Sequence, residues 1–178
     1  MKKIWVLTTL FLLSGCLGMP KNMAPVKEFD VNRYLGTWYE IARLDHSFER
    51  GLTQVTAHYA LRDDGGLSVI NRGFSLKSNE WKEADGKAYF VGETDEGYLK
   101  VSFFGPFYGS YVVFGLSPSS KSDKDYQYAF LSGPDLSYLW LLSRKSIVAP
   151  EVLADFINQS KVLGFDTNEL IMVEQDKQ

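Results

Sequence analysis

Short apolar runs separated by turn residues fill most of the chain after residue 36. Val, Tyr, Phe, Thr and Leu recur in these runs, and Gly, Asp, Asn and Pro break them, which is typical of the strands of a sandwich or a barrel. The sequence Asp63-Asp64-Gly65-Gly66 predicts a tight hairpin between the second and third runs. The pattern predicts eight strands, at about 37–46, 53–62, 67–76, 86–93, 97–104, 110–116, 126–132 and 137–144.

A helical period appears only near the end of the chain. Pro150 suits the first position of a helix, and Gly164 suits its C-cap. Five apolar side chains between them share one helical face: Val152, Leu153, Phe156, Ile157 and Leu163. We expect one amphipathic helix packed outside the sheet, and residues 170–173 are compatible with a short edge strand. The pattern alone does not distinguish a barrel from a sandwich.

The net charge and the small number of cysteines and histidines limit the classes of function that are possible. The net charge is −3, and this balance argues against a nucleic-acid surface, which needs clustered positive charge. Cys16 is the single cysteine, so no internal disulfide forms. Together with His46 and His58 it does not make a zinc site of the usual spacing, and we expect no metal and no cofactor.

The N-terminus carries an export signal. Lys2 and Lys3 precede the apolar run 4–13, which is long enough for a secretory signal but shorter than the twenty or so residues that span a bilayer. Leu13-Ser14-Gly15-Cys16 then resembles the lipobox of bacterial lipoproteins. That resemblance implies cleavage before Cys16 and acylation of its thiol and its new amino group. The alternative is an ordinary secretory signal with an incidental cysteine.

The same resemblance suggests a location and a domain plan. Leu17 stands where an aspartate would retain a lipoprotein in the inner membrane, which implies the outer membrane, facing the periplasm. We predict a signal peptide at 1–15 and an acylated cysteine with an aperiodic tether at 16–28. Residues 29–178 then form one barrel domain.

Three segments resemble motifs of the lipocalin family. Gly36-Thr37-Trp38-Tyr39 resembles its first signature, and the segment 138–144, which ends in Arg144, resembles its last strand. Residues 125–129 resemble its middle motif, but Lys124 replaces a threonine and the tyrosines are one residue too close, so this loop is expected to differ in shape. Together with the lipobox, these motifs resemble those of the bacterial lipocalins, the outer-membrane lipoproteins of the family.

The resemblance implies an all-β fold: an eight-stranded antiparallel up-and-down barrel with the C-terminal helix outside. It also implies that Trp38 lies across the barrel floor and that Arg144 packs over it, a cation–π contact. Gly36, Trp38, Tyr39 and Arg144 are therefore structural positions rather than ligand contacts.

Strand alternation, anchored by these motifs and by outward-facing charges, predicts the interior. Ala42 is expected inward, Glu40 and Arg144 are the only expected internal charges, near the floor, and Trp81 is placed in a connecting loop. The resemblance adds Tyr111, Val113, Ala129 and Leu131. The predicted ligand-binding lining is Val55, Ala57, Tyr59, Val69, Asn71, Phe90, Leu99, Val101, Phe103, Tyr111, Val113, Ala129, Leu131, Tyr138 and Trp140.

An apolar lining with a few polar groups suits an alkyl chain, so we expect a fatty acid or a lysophospholipid as ligand, oriented by Asn71, Tyr59 and Tyr138. No catalytic residue is expected, because neither histidine pairs with a nucleophile inside the barrel. Two alternatives stay open. One is a packed barrel that binds protein partners, and the other is a lipocalin-type isomerase using Glu40. The exposed aromatic run 103–108 suits a partner, a membrane surface or a homodimer.

Overall fold

The computed structural model describes residues 17–117 and 125–175. The predicted signal peptide, Cys16 and Lys124 lie outside these residues. The strands are β1 (Gly36–Arg43), β2 (Leu52–Leu61), β3 (Leu67–Ser75), β4 (Glu80–Phe90), β5 (Tyr98–Phe104), β6 (Phe107–Leu116), β7 (Tyr128–Ser132), β8 (Leu139–Ser143) and β9 (Ile171–Met172). The helices are α1 (Val31–Tyr34), α2 (Pro150–Leu163) and a 3-10 turn (Thr167–Glu169).

The sheet closes on itself. The strand order is β2-β3-β4-β5-β6-β7-β8-β1, and β1 also pairs with β2, which closes the barrel. Every pairing is antiparallel, and within the barrel every pair except β8–β1 joins strands that are consecutive in the chain. Closure removes the exposed edges that an open sheet would leave. The prediction of an eight-stranded up-and-down barrel is confirmed, and β9 adds a short ninth strand paired to the mouth end of β1.

Strand direction defines the two ends of the barrel. The end where β1 begins carries Trp38 and is called the floor; the opposite end, where β1 ends, is called the mouth. Because the strands alternate in direction, the β1–β2, β3–β4, β5–β6 and β7–β8 connections all lie at the mouth. The floor holds α1 and the β2–β3 and β4–β5 turns.

A β-bulge in β1 reverses one prediction. Glu40 pairs with Leu142 and Ala42 pairs with Leu141, so one extra residue of β1 is inserted between them. A bulge of this kind flips the alternation beyond it. Ala42 therefore packs in the outer cluster under α2, and the prediction that it points inward is wrong. Arg43, opposite Trp140, takes the inward place instead.

Strand β4 begins at Glu80, six residues before its predicted start. The charged stretch that follows Trp81 resembles a loop, but it pairs along the full length of β3. Trp81 lies opposite Phe74 on the outer face, with the Arg72 guanidinium 4.0 Å from its ring. The placement of Trp81 in a connecting loop is therefore wrong. The mouth half of β4 is exposed to solvent on its outer face and at the mouth, so polar side chains are tolerated there.

Helix α2 matches its predicted ends. Pro150 occupies the first turn, and Gly164 has the left-handed φ of 97° that a C-cap requires. Phe156 is fully buried, with its ring 5.2 Å from that of Phe130 on the outside of β7. No helix within the described residues is long and apolar enough to cross a membrane.

The segment 17–28 lies along the barrel wall. Val26 donates its N–H to the Val113 carbonyl at 2.9 Å and accepts from the Gly97 N–H at 2.9 Å. Met23 is buried in the outer cluster, and the Gly18 N–H donates to Ser110 Oγ at 2.9 Å. The segment that the sequence predicts as a tether has no regular secondary structure, but it is docked against the sheet.

Candidate functional site

The floor is closed by Trp38 and Arg144. The indole of Trp38 is fully buried, and the Arg144 guanidinium carbon lies 3.9 Å from its ring centre. Arg144 also donates hydrogen bonds to four backbone carbonyls, those of Thr37, Arg33, Leu35 and Tyr126, at 2.8–3.1 Å. This one side chain therefore joins β1, α1 and the segment before β7.

Helix α1 positions a tyrosine that the sequence analysis did not assign to the interior. It spans four residues, too few to show a period, although Asp30 caps it by accepting from the Asn32 N–H. The Tyr34 carbonyl accepts from Trp38 Nε1 at 2.8 Å, and the Tyr34 ring lies 4.8 Å from the indole. The Asp30 cap was the available signal for this turn.

Three tyrosine hydroxyls meet above the floor. Tyr111 is hydrogen-bonded to Tyr34 at 2.6 Å and to Tyr59 at 2.8 Å. Burial raises the pKa of all three phenols, so the hydroxyls stay neutral. Side chains fill the barrel around this cluster and leave a cavity of about 10 Å³, room for roughly one water molecule. The lower half of the barrel is therefore packed.

Most predicted lining residues point inward. Strand pairing with Trp38 as reference gives a common inner face to Val55, Ala57, Tyr59, Val69, Asn71, Phe90, Leu99, Val101, Phe103, Tyr111, Val113, Ala129, Leu131 and Trp140. Tyr138 differs, because β8 begins one residue after it. Its ring stacks on His46 at the mouth, with centroids 4.7 Å apart.

The inner face of the upper half of the barrel is partly accessible to solvent, and this region is called the cup. On its inner face Ala84 is exposed, and Asn71, Val101 and Phe103 are only half-buried. Gly109, opposite Val101, would have no atom within 4 Å of an added Cβ. Small residues and accessible apolar side chains on the inner face leave space above the tyrosine cluster, and this space opens at the mouth.

A buried group of charged residues, Glu40, Arg43 and Glu49, lies on one side of the cup. The sequence analysis did not predict Arg43 or Glu49 in the interior. Arg43 donates to Glu40 Oε1 at 2.6 Å and to the carbonyls of Glu49 and Leu52 at 3.0 and 3.2 Å. Glu49 accepts from Trp140 Nε1 at 3.0 Å. The expectation that Glu40 and Arg144 are the only internal charges is wrong, because the bulge turns Arg43 inward and the β1–β2 loop folds Glu49 over it.

Burial and mutual repulsion keep a proton on this pair of carboxyls. Burial, and then the nearby Glu49 carboxyl, raise the pKa of Glu40 to about 8, against the opposing effect of Arg43. Burial likewise raises the pKa of Glu49. Burial, followed by Arg43, lowers the pKa of His46. Near pH 7 the Arg43 guanidinium therefore faces the Glu40 and Glu49 carboxyls, which together hold one proton. The three groups are close to neutral overall.

The raised pKa of Glu40 predicts a pH-dependent stability. Between pH 4.5 and about 8 the folded chain holds a proton that the unfolded chain releases, so the free energy of unfolding should fall as pH rises through this window. We expect a loss of roughly 4 kcal/mol, measured by urea unfolding at several pH values. Glu40→Gln should flatten this dependence, whereas Glu80→Gln, at an exposed position, should not. An unchanged slope in Glu40→Gln would contradict the shift.

Comparison with known proteins agrees with this architecture. The lipocalin-like domain family matches residues 29–175. The outer membrane lipoprotein Blc of Vibrio cholerae is 60% identical over 175 residues, covering 98% of this chain and 99% of the relative. Blc of Escherichia coli K12 is 48% identical over 170 residues, covering 94% and 93%.

A solved structure shows the same fold at low identity. Insecticyanin of the tobacco hornworm Manduca sexta superposes with a TM-score of 0.66 at 19% identity, covering 90% of this chain and 88% of that one. This similarity supports the closed-barrel fold with its Trp38–Arg144 floor. The two bacterial relatives match this chain over more than nine-tenths of its length. The chain belongs to the lipocalin family.

Proposed function

We propose that this protein is an outer-membrane lipoprotein that holds one acyl-chain lipid, a fatty acid or a lysophospholipid, in the cup of its barrel. The observation that carries the proposal is the accessible apolar wall above the tyrosine cluster. Val101 and Phe103 on β5 and the open space at Gly109 on the neighbouring strand β6 lie side by side on one wall of a cup that is closed below and open at the mouth.

The energetics suit a long alkyl chain. About sixteen methylenes at ~0.8 kcal/mol each give a gross gain near 13 kcal/mol, and association costs of about 4–15 kcal/mol leave a net affinity in the micromolar range. Arg43 Nε and Asn71 Oδ1 are buried polar atoms with no hydrogen-bond partner among the described residues. Buried polar atoms are usually paired, so these two are candidates to bind the polar end of the lipid.

The anchor part of the proposal rests on Cys16 and on the relatives. Both bacterial relatives are named outer membrane lipoproteins, and the match to the Vibrio protein covers 98% of this chain. We propose that Cys16 is the acylated residue and that the barrel lies on the periplasmic side of the outer membrane. Several acyl chains make such an attachment stable, because one chain alone gives only marginal binding.

The proposed role is binding rather than catalysis. His58 is exposed on the outside of the barrel, where it hydrogen-bonds Thr37 Oγ1 at 2.9 Å. His46 is stacked between Phe48 and Tyr138 at the mouth. Neither ring is placed to activate a nucleophile in the cup, which supports a non-enzymatic role. The packed lower half favours the second candidate, a filled barrel that binds protein partners.

A ligand titration separates the two candidates. Protein beginning at Leu17 should bind a fatty acid or lysophospholipid of about sixteen carbons at micromolar affinity, with a change in tryptophan emission. Trp140→Phe should remove most of the change, because Trp140 lies on the inner wall, whereas Trp81→Phe on the outer face should preserve it. Absence of binding below about 100 µM would favour the filled barrel, since such a barrel has no space for a chain.

A further inference from the structure

The chain leaves the barrel toward Cys16 at the mouth. From the floor side, where Val26 bonds to Val113 and Gly97, the segment climbs the outer wall to Gly18. Gly18 binds Ser110, three residues from the mouth end of β6, and a side-chain carbon on Gly18 would lie 4.0 Å from the Pro134 carbonyl of the β7–β8 loop. Leu17, the first residue that the structure describes, is one residue from Gly18, so the described chain begins beside the mouth, and two residues span at most about 7 Å.

The mouth also carries exposed apolar side chains on all four of its loops. Phe48 is 60% exposed, Leu76 67%, Phe104 81%, Phe107 56% and Leu136 42%. These residues belong to the β1–β2, β3–β4, β5–β6 and β7–β8 connections or to the strand ends beside them. Large apolar side chains exposed on the loops at one end of a domain are typical of a surface that enters a membrane interface.

The floor differs from the mouth mainly in charge. Its turns at 62–66 and 91–97 hold five carboxylates, of which two are in ion pairs, with Arg62 and Lys27. At the mouth, Asp45 and Arg50 neutralise each other with a 2.5 Å ion pair, and Lys77 and Asp135 add one charge of each sign. Anionic lipid would therefore repel the floor and not the mouth.

We propose that the mouth of the barrel faces the bilayer, with the exposed apolar side chains of its four loops seated in the lipid interface beside the anchored Cys16. This inference rests on the proposed function, since it takes Cys16 to be acylated. The docked segment 17–28 leaves too little free chain for the barrel to turn over. The cup then opens onto the membrane, so a lipid enters it without crossing water.

The test uses the full acylated protein with one added cysteine, because acylation occupies Cys16. Phe107→Cys at the mouth and Leu61→Cys at the floor form a matched pair, since both residues are 56% exposed. Each is labelled with an environment-sensitive fluorophore, and the protein is placed in vesicles of phosphatidylethanolamine and phosphatidylglycerol with a shallow spin-labelled lipid. Quenching at position 107 should be several-fold stronger than at position 61.

Other results would overturn the orientation. Equal quenching at the two positions, or stronger quenching at 61, contradicts it. A label at 107 that is shielded from aqueous iodide but not quenched by the spin-labelled lipid would show that a second protein copy covers the mouth, which also contradicts it. Phe104→Asp should slow uptake of lysophospholipid from vesicles several-fold and leave binding of the same lipid from solution unchanged.

A separate variant tests the anchor. Cys16→Ala should no longer sediment with outer membranes after a salt wash. If this variant still sediments, the acylation of Cys16 is wrong, and the proposal for the mouth loses its basis. If it is released while the anchored wild-type protein shows no preference for position 107, the anchor stands and the orientation is wrong.

Discussion

Replacing Arg144 with alanine should destabilise the barrel by about 3 kcal/mol or more, comparable to the ~3–5 kcal/mol expected for Trp38→Ala. The guanidinium lies 3.9 Å from the indole and donates to four backbone carbonyls. A charged hydrogen bond typically contributes ~1.5–3 kcal/mol, and a carbonyl left unpaired in a buried place adds a further cost. Urea unfolding at constant pH measures both effects.

The double variant gives the stronger test. Because the two side chains touch, the losses from Trp38→Ala and Arg144→Ala should not add, and the interaction energy should exceed about 0.5 kcal/mol. Lys145→Ala, at the exposed neighbouring residue, is the matched control and should change stability by less than about 0.5 kcal/mol. Strict additivity of the two losses would show that the floor contact does not couple β1 to the end of β8.

Val101→Asp should weaken binding of an alkyl ligand by at least about 100-fold. Val101 faces the cup opposite Gly109, so the new carboxylate would meet the apolar chain without a partner. Burying an unpaired polar or charged group costs several kcal/mol, and about 1.4 kcal/mol corresponds to each tenfold loss of affinity. Lys100→Asp, the outward-facing neighbour, should leave the affinity nearly unchanged. The ligand titration described above measures both.

Gly109→Leu provides an independent version of this test. No atom lies within 4 Å of the added Cβ, so the side chain should enter the cup without disturbing the strands. It should lower the affinity for a sixteen-carbon chain more than for a short one, with the urea midpoint little changed. If both Val101→Asp and Gly109→Leu fold and bind as the wild type does, the ligand does not occupy the cup.

Local sequence predicted the strands and the outer helix well. Seven of the eight predicted strands both begin and end within about three residues of the observed ones because turn residues and alternation are properties of consecutive positions. Helix α2 has the predicted ends because Pro150 and Gly164 act on the backbone next to them. Strand β4 is the exception, since its mouth half is solvated on both faces and therefore lacks an apolar pattern.

Inward orientation was predictable only as far as the alternation continued unbroken. It held on β2, β3, β5 and β6, where Val55, Asn71, Val101 and Tyr111 face inward. It failed on β1 at the bulge between Glu40 and Ala42. A bulge forms because of how β1 fits β8 across the barrel, and no residue in β1 alone signals it.

The amino-acid pattern specifies the periodic parts of this protein: the strands, the outer helix and, through family motifs, the Trp38–Arg144 floor. The tertiary structure alone decided the tyrosine cluster, in which Tyr34 and Tyr111 are 77 residues apart, and the inward turn of Arg43. It also decided that the chain toward Cys16 leaves at the mouth, through contacts such as Gly18 with Ser110. These features depend on which distant segments meet when the barrel closes, and a local pattern carries no information about such meetings.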